Sequence, residues 1–311
     1  LEKSLIRELT GEKYDAVHFE SFYASLYLPL VKSLGVKTVL GNENVEYEVY
    51  QRFIENLRGI KRYALLPLLK YDLFKMQRFE KERWRQADVN LAVSGEDAKI
   101  ISTAAASPVI VVPNGVDTES FSYSFPEINN QNDLLFIGDL NYIQNNQGIK
   151  SFIEEVFPVI RRRVPAVTLK IVSASKSAWW KENTPGISLI QDNITPFSGF
   201  TNQAEIFINP VVIKGGTRIK LLEALAAGLP VVTYASSLAG FSKLQSGRDL
   251  IAVDTPSAFA EAVIRLLTDK SFGRRLGAAG RILVESHYTW EKALTALSPV
   301  YPMFNYENPN H

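Results

Sequence analysis

Lys214-Gly215-Gly216-Thr217-Arg218-Ile219-Lys220-Leu221-Leu222-Glu223-Ala224-Leu225-Ala226-Ala227-Gly228-Leu229-Pro230-Val231-Val232 reads as a strand end, a Gly-Gly turn, a helix and a tight return into the next strand. The paired glycines allow close backbone approach and positive φ, and the helix start presents free N–H groups. Arg218 and Lys220 put two cations at that same end, where the helix dipole by itself disfavours them. An anionic ligand would hold both, and a diphosphate is the natural candidate. Glu223, one to two turns further in, is placed to accept hydrogen bonds from vicinal sugar hydroxyls. The plainer reading, a surface turn with solvated charges, suits an isolated Gly-Gly-x-Arg better than it suits the whole string.

Outward from this motif the chain alternates. Residues 206–208 and 230–233 read as strands flanking a helix at 217–227; a further helix follows at 257–267. Before them come strands at 134–137 and 167–172 with a helix at 148–163 between them. The first half shows the same rhythm, with strands at 14–19, 37–40, 89–93 and 109–112 and a helix near 45–57. Ser94 reads as the N-cap of a helix beginning near Glu96. Residues 118–133, polar and without period, read as a linker. Apolar strands alternating with helices make parallel sheets covered on both faces. The expected class is therefore α/β, with two Rossmann-like, doubly wound domains facing a cleft. Such sheets bind ligands at the C-terminal ends of their strands, where His18, Asn42, Ser94 and Asn114 stand in the first half.

Composition excludes several alternatives. The chain has 311 residues, 46% hydrophobic and 22% charged, which are globular proportions. Lys+Arg 34 against Asp+Glu 33 gives a net charge of +1, so nucleic acid is not an expected partner. With no cysteine there is no disulfide, thiolate metal site or Cys nucleophile. Three histidines, His18, His287 and His311, cannot build a zinc-hydrolase site, and Asp-x-Asp is absent, so no metal is expected. The P-loop, Gly-x-Gly-x-x-Gly and Gly-x-Ser-x-Gly strings are missing too. No uncharged run reaches the roughly 20 residues of a membrane span.

The string from Lys214 to Val232 resembles the donor-site signature of group 1 (family 4) glycosyltransferases of the GT-B fold. Val112-Pro113-Asn114-Gly115-Val116-Asp117 resembles that family's entry to the interdomain linker, and Phe136-Ile137-Gly138-Asp139-Leu140-Asn141-Tyr142 its first donor-domain strand and loop. Ala87-Asp88 with Leu91-Ala92-Val93-Ser94, and His287-Tyr288-Thr289-Trp290-Glu291, are similar to two further segments. The resemblance implies an acceptor-side domain at 1–124, a donor-binding domain at 125–290 and a segment crossing back at 291–311. It implies a hexosyl transfer from a nucleoside-diphosphate sugar, with retention and without a metal or other cofactor. Arg218 and Lys220 would stabilise the leaving diphosphate, and His18 would orient the acceptor. Gly138, Asn141, Gly215, Gly216, Thr217, Glu223 and Asn114 would line the substrate site.

Departures from the family pattern stand beside this. Gly215 occupies the place of the first of two glutamates spaced eight apart, the second being Glu223. The loop Gly138-Asp139-Leu140-Asn141 lacks the usual Arg and Lys, with Lys150 too far along, so Arg218 and Lys220 are expected to replace that clamp. Asn42, Glu43 and Glu46 fall where relatives have His-Asn-x-x-Glu, which leaves no general base assigned. The first domain is expected to lack roughly three strands by analogy with a complete unit. A non-catalytic GT-B-like nucleotide-sugar binding or assembly partner is accordingly the alternative function, and a sugar-nucleotide epimerase a third. Residues 58–85 carry nine Lys/Arg against three Asp/Glu among aromatic and leucine residues. Such a stretch is either an ordinary solvated helix face or a grip on anionic lipid headgroups. With the resemblance it points to a cytoplasmic enzyme at the inner face of the membrane, with a glycan or lipid-linked acceptor and a part in bacterial surface polysaccharide synthesis.

Overall fold

In a computed structural model of the chain, the described residues are 2–57, 60–121, 132–180, 184–192, 194–201, 204–212 and 218–300, with backbone alone at 56 and 60–64. They form two compact units, one running to Asn114 and resuming at Glu291, the other running from Gly115 to Trp290.

Among the described residues, the first unit holds the parallel strands β1 (Ala16–Glu20), β2 (Lys37–Asn42), β3 (Val89–Ala92) and β4 (Val109–Val111), in the order β1-β2-β3-β4. β3 is buried at every position and β2 at all but its first, as strands covered on both faces must be. Phe19, Leu40 and Ala92 pack on one side with Leu28, Val31, Trp84 and Ile101; Val39, Val89 and Leu91 pack on the other with Val300. Ser94 accepts a 3.0 Å hydrogen bond from the Asp97 N–H and caps helix Gly95–Ser102, as its place in the sequence predicts.

The basic stretch folds as one long helix, Ile60–Gln86, with Pro67 inside it. Residues 58 and 59 of that stretch lie outside the described residues. Two of its side chains brace the sheet. The Trp84 indole donates to Asn42 Oδ1 at 2.9 Å, while the Asn42 amide donates to the Leu91 and Leu40 carbonyls. Buried Glu80 accepts from the N–H groups of Glu46 (3.0 Å) and Tyr47 (2.7 Å), the opening residues of helix Glu46–Asn56. The N-cap there is Val45, which has no acceptor to offer, so the cap comes from another helix.

The second unit holds β5 (Asp133–Ile137), β6 (Thr168–Ser173), β7 (Ile187–Gln191), β8 (Ile206–Asn209), β9 (Val231–Tyr234) and β10 (Ile251–Val253). All pair in parallel, in the order β10-β9-β8-β5-β6-β7. Successive β5 residues face opposite ways: Leu134 and Phe136 join Phe152, Ile160 and Phe259 on one side, and Leu135 joins Leu222, Leu225 and Val284 on the other. Two edge strands, β7 and β10, are absent from the sequence reading; both are short and only partly buried. The helix expected at 148–163 begins earlier, at Ile143, and passes through a π-helical turn at Phe152–Val156. Pro158, just beyond it, has no N–H for the α-helical ladder, and the wider turn absorbs that loss.

Helix Ile219–Ala226 ends in a Schellman turn. The Gly228 N–H bonds the Leu225 carbonyl and the Leu229 N–H bonds Ala224, with Gly228 at φ +74 and Pro230 entering the next strand.

Candidate functional site

In the second unit the chain starts at β5, moves out through β6 and β7, and returns to pair β8 on the other side of β5. The reversal puts a crevice at the C-terminal ends of β5 and β8, the position where open α/β sheets take ligands. Two segments leave the sheet there, residues 138–142 after β5 and the stretch from Pro210 after β8. Helix Ile143–Ser151, which follows the first segment, lies against the second: a Cβ on Gly148 would stand 2.7 Å from the Pro210 carbonyl oxygen.

The first segment is stiffened by a hydrogen-bond net. Gly138 donates to the Val172 carbonyl at 3.0 Å and Leu140 to Ser173 Oγ at 3.0 Å. The Asn145 and Asn146 side chains hold the carbonyls of Asp139 and Leu140, and Trp179 donates to Asn146 Oδ1 at 2.6 Å. Trp179 and Trp180 pack on the core beside this net. Asn141 is exposed at the tip, with its N–H on Asp139 Oδ1. Lys150 instead pairs with Glu154 at 3.7 Å along its own helix.

Gly215, Gly216 and Thr217 lie outside the described residues. Arg218 is the N-cap residue of helix Ile219–Ala226, and its own side chain supplies no cap. Its accessible surface is intermediate, yet enough protein surrounds the guanidinium for desolvation to pull its pKa down to about 10. It stays charged at neutral pH, in a setting where an anion is worth more than in water. Lys220 is half exposed, 2.8 Å from Glu223 Oε2 and 5.4 Å from the centre of the Phe197 ring. That ion pair lacks hydrogen-bond geometry. Oε2 of Glu223 is shielded from solvent and, among the described residues, accepts no hydrogen bond. Its contact among the described residues is the Lys220 ammonium, which leaves it capacity to accept a further donor. Lys220 and Glu223 thus share one short helix, and Arg218 stands at its N-cap.

In the first unit His18 lies on β1, its Nε2 3.3 Å from Glu20 Oε1, two residues along and on the same face. Asn114 follows β4, where the chain passes to the second unit. Asn42 stands at a strand end as the sequence predicts, but its amide is spent on Leu40, Leu91 and Trp84 and serves the core. Glu43 is exposed, and burial raises the Glu46 carboxyl above its ordinary pKa. Glu80 was not legible as part of this region, because nothing local in the sequence links it to a helix start 33 and 34 residues away. Among the described residues, no three His, Asp or Glu are grouped to hold a metal ion.

Comparison with known proteins adds a family and a fold. Residues 131–269 match the family described as Glycosyl transferases group 1, and residues 2–120 match Glycosyltransferase Family 4. An uncharacterized 44.6 kDa protein in the cps region of Klebsiella pneumoniae is 24% identical over 308 residues, covering 95% of this chain and 76% of the relative. The phosphatidyl-myo-inositol mannosyltransferase of Mycobacterium leprae (strain TN) is 27% identical, over 68% of this chain and 58% of its own length. This chain therefore spans little more than half of that relative. The structure is similar to sucrose-phosphate synthase from Thermosynechococcus elongatus, with a TM-score of 0.75 at 15% identity, covering 99% of this chain and 78% of that one. That likeness is one of fold.

Proposed function

Because this chain belongs to the group 1, family 4 glycosyltransferases, we propose that it moves a hexose from a nucleoside-diphosphate sugar to a glycan or lipid-linked acceptor, with retention and without a metal ion. The observation that carries this reading is the pair of cations, Arg218 and Lys220, at the start of helix Ile219–Ala226, which follows β8 at the sheet's switch point. Charge builds on the leaving diphosphate as the sugar bond breaks. A desolvated guanidinium and the positive end of the helix dipole stabilise that charge without having to reorganise. In the resting site Lys220 rests on Glu223. A bound nucleotide would draw the ammonium to phosphate and give Glu223 Oε2 the ribose hydroxyls as donors. Gly215, Gly216 and Thr217 would bring backbone close to the donor, Gly138, Asn141 and Asn114 would complete the substrate site, and His18 would orient the acceptor.

A lipid-linked acceptor suits helix Ile60–Gln86. Between Leu65 and Arg78 its exposed side chains are apolar or aromatic, among them Leu65, Leu68, Tyr71 and Phe74, or cationic, namely Lys70, Lys75 and Arg78. Among the described residues no helix is long and apolar enough to cross a membrane. The protein would thus act from the cytoplasm at the inner face of the membrane, in bacterial surface polysaccharide synthesis. The mycobacterial relative is named for a lipid acceptor, phosphatidyl-myo-inositol, which agrees with this placement. A thermal-shift screen of UDP, GDP, ADP and CMP, followed by hydrolysis assays with sugar nucleotides of the base that binds, tests the reading. Binding of no nucleoside diphosphate and turnover of no donor would overturn it.

A further inference from the structure

At the end of β1 the backbone turns abruptly. Ser21 sits at φ +84, a left-handed conformation that a non-glycine residue holds only where its surroundings impose it. The turn carries Phe22 and Tyr23 toward helix Ile60–Gln86. Phe22 meets Phe79 edge-on at 5.2 Å, and Tyr23 meets Phe22 at 5.4 Å. There they line a wide-mouthed cavity of about 510 Å³ with Leu26, Tyr50 and Met76, within the ~300–1,000 Å³ typical of small-molecule sites. Its ionic groups, Asp72 and Lys75, are paired with each other at 3.0 Å, so what the cavity offers is apolar bulk. A sugar or nucleotide would find few polar partners in it.

The mouth of this cavity is itself apolar. Tyr23 is 72% and Leu26 59% exposed, although neither belongs to the nucleotide site. The Lys75 ammonium lies 5.0 Å over the Tyr71 ring, which joins the mouth to the apolar and cationic face of the helix. Cations beside exposed aromatic groups complement an anionic headgroup whose hydrocarbon continues inward.

We propose that this cavity takes one hydrocarbon chain of the anionic lipid that carries the acceptor, with Lys75 and Arg78 at the headgroup level. The proposal rests on the reading of the chain as a transferase acting on a lipid-linked acceptor. It adds that the first unit withdraws a single chain from the bilayer, rather than only lying on its surface.

The test uses vesicles of phosphatidylcholine mixed with phosphatidylglycerol, a trace of the latter bearing a diazirine at the end of one acyl chain. After irradiation, label should map to Phe22, Tyr23, Leu26, Met76 and Phe79. Leu26→Ser and Tyr23→Ser each remove apolar surface from exposed positions. Each should lower labelling about tenfold, the factor that loss of one buried apolar side chain brings. Amide exchange at Glu46 and Tyr47 should match the parent in both variants, which shows that the first unit is folded. Label confined to Leu65, Leu68 and Phe74 overturns the cavity and leaves surface contact standing. Failure to sediment with these vesicles at all overturns both, while nucleotide binding separately decides the donor side of the transferase reading.

Discussion

Replacing Glu80 with glutamine should change how the first unit's stability depends on pH. Glu80 is 3% exposed and caps helix Glu46–Asn56 through two N–H groups. Burial outweighs those donors, and the Glu46 carboxyl adds repulsion, so the pKa rises from 4.5 to about 7. A carboxyl whose folded pKa is raised contributes its full stability below pH 4.5 and loses it as pH rises through 7. At 1.36 kcal/mol per unit, the raised pKa makes this contribution about 3 kcal/mol. A glutamine in its place carries no charge at any pH. Its carbonyl keeps one N–H partner and its amide opposes the other, a loss of about 1 kcal/mol that is constant with pH. The parent should therefore be the more stable protein near pH 4.5 and Glu80→Gln the more stable near pH 8, the difference swinging by about 3 kcal/mol. Urea unfolding across that range measures the swing, and amide exchange at Glu46 and Tyr47 assigns it to the first unit. Parallel stability–pH curves for the two proteins would refute the argument.

Other consequences can be checked at the donor site and in the packing. Arg218→Ala or Lys220→Ala should weaken nucleoside diphosphate binding by about 1.5–3 kcal/mol each while sparing the bare nucleoside; equal calorimetric losses for both ligands would make these residues structural. Glu223→Gln should weaken nucleotide binding, and the parent protein should discriminate against a 2′,3′-dideoxy nucleoside diphosphate far more than the variant does; equal binding of both ligands by the parent removes Glu223 from the ribose. Gly277→Ala should lower the melting temperature sharply, since its Cβ would lie 2.0 Å from the Gly228 carbonyl oxygen and overpacking costs ~1–3 kcal/mol or more; an unchanged melt would mean that helix Lys270–His287 shifts freely. Binding to phosphatidylglycerol vesicles should fall as salt rises, and salt-insensitive partitioning would return the helix face at Leu65–Arg78 to ordinary solvation.

The stretch from Lys214 to Val232 could be read alone because its information is local. A 3.6-residue apolar period, a glycine for the left-handed cap, a proline after it and an apolar strand all lie within a few turns of chain. The same holds for β5, β6, β8 and β9, whose apolar runs announce burial, and for Ser94, whose cap partner is three residues away. β7 and β10 were invisible because a short, half-buried segment becomes a strand only by pairing with β6 or β9. The order β10-β9-β8-β5-β6-β7 was equally out of reach, and it alone makes neighbours of β5, which residues 138–142 leave, and β8, which the stretch from Pro210 leaves. Residue type named Asn42 as a candidate, and packing against Trp84 and Leu91 made it part of the core. Desolvation of Arg218, the shielding of Glu223 Oε2 and the distant cap from Glu80 depend on which side chains exclude water around each group. Exclusion of water is a property of packing in three dimensions, so it was decided only when the chain had folded.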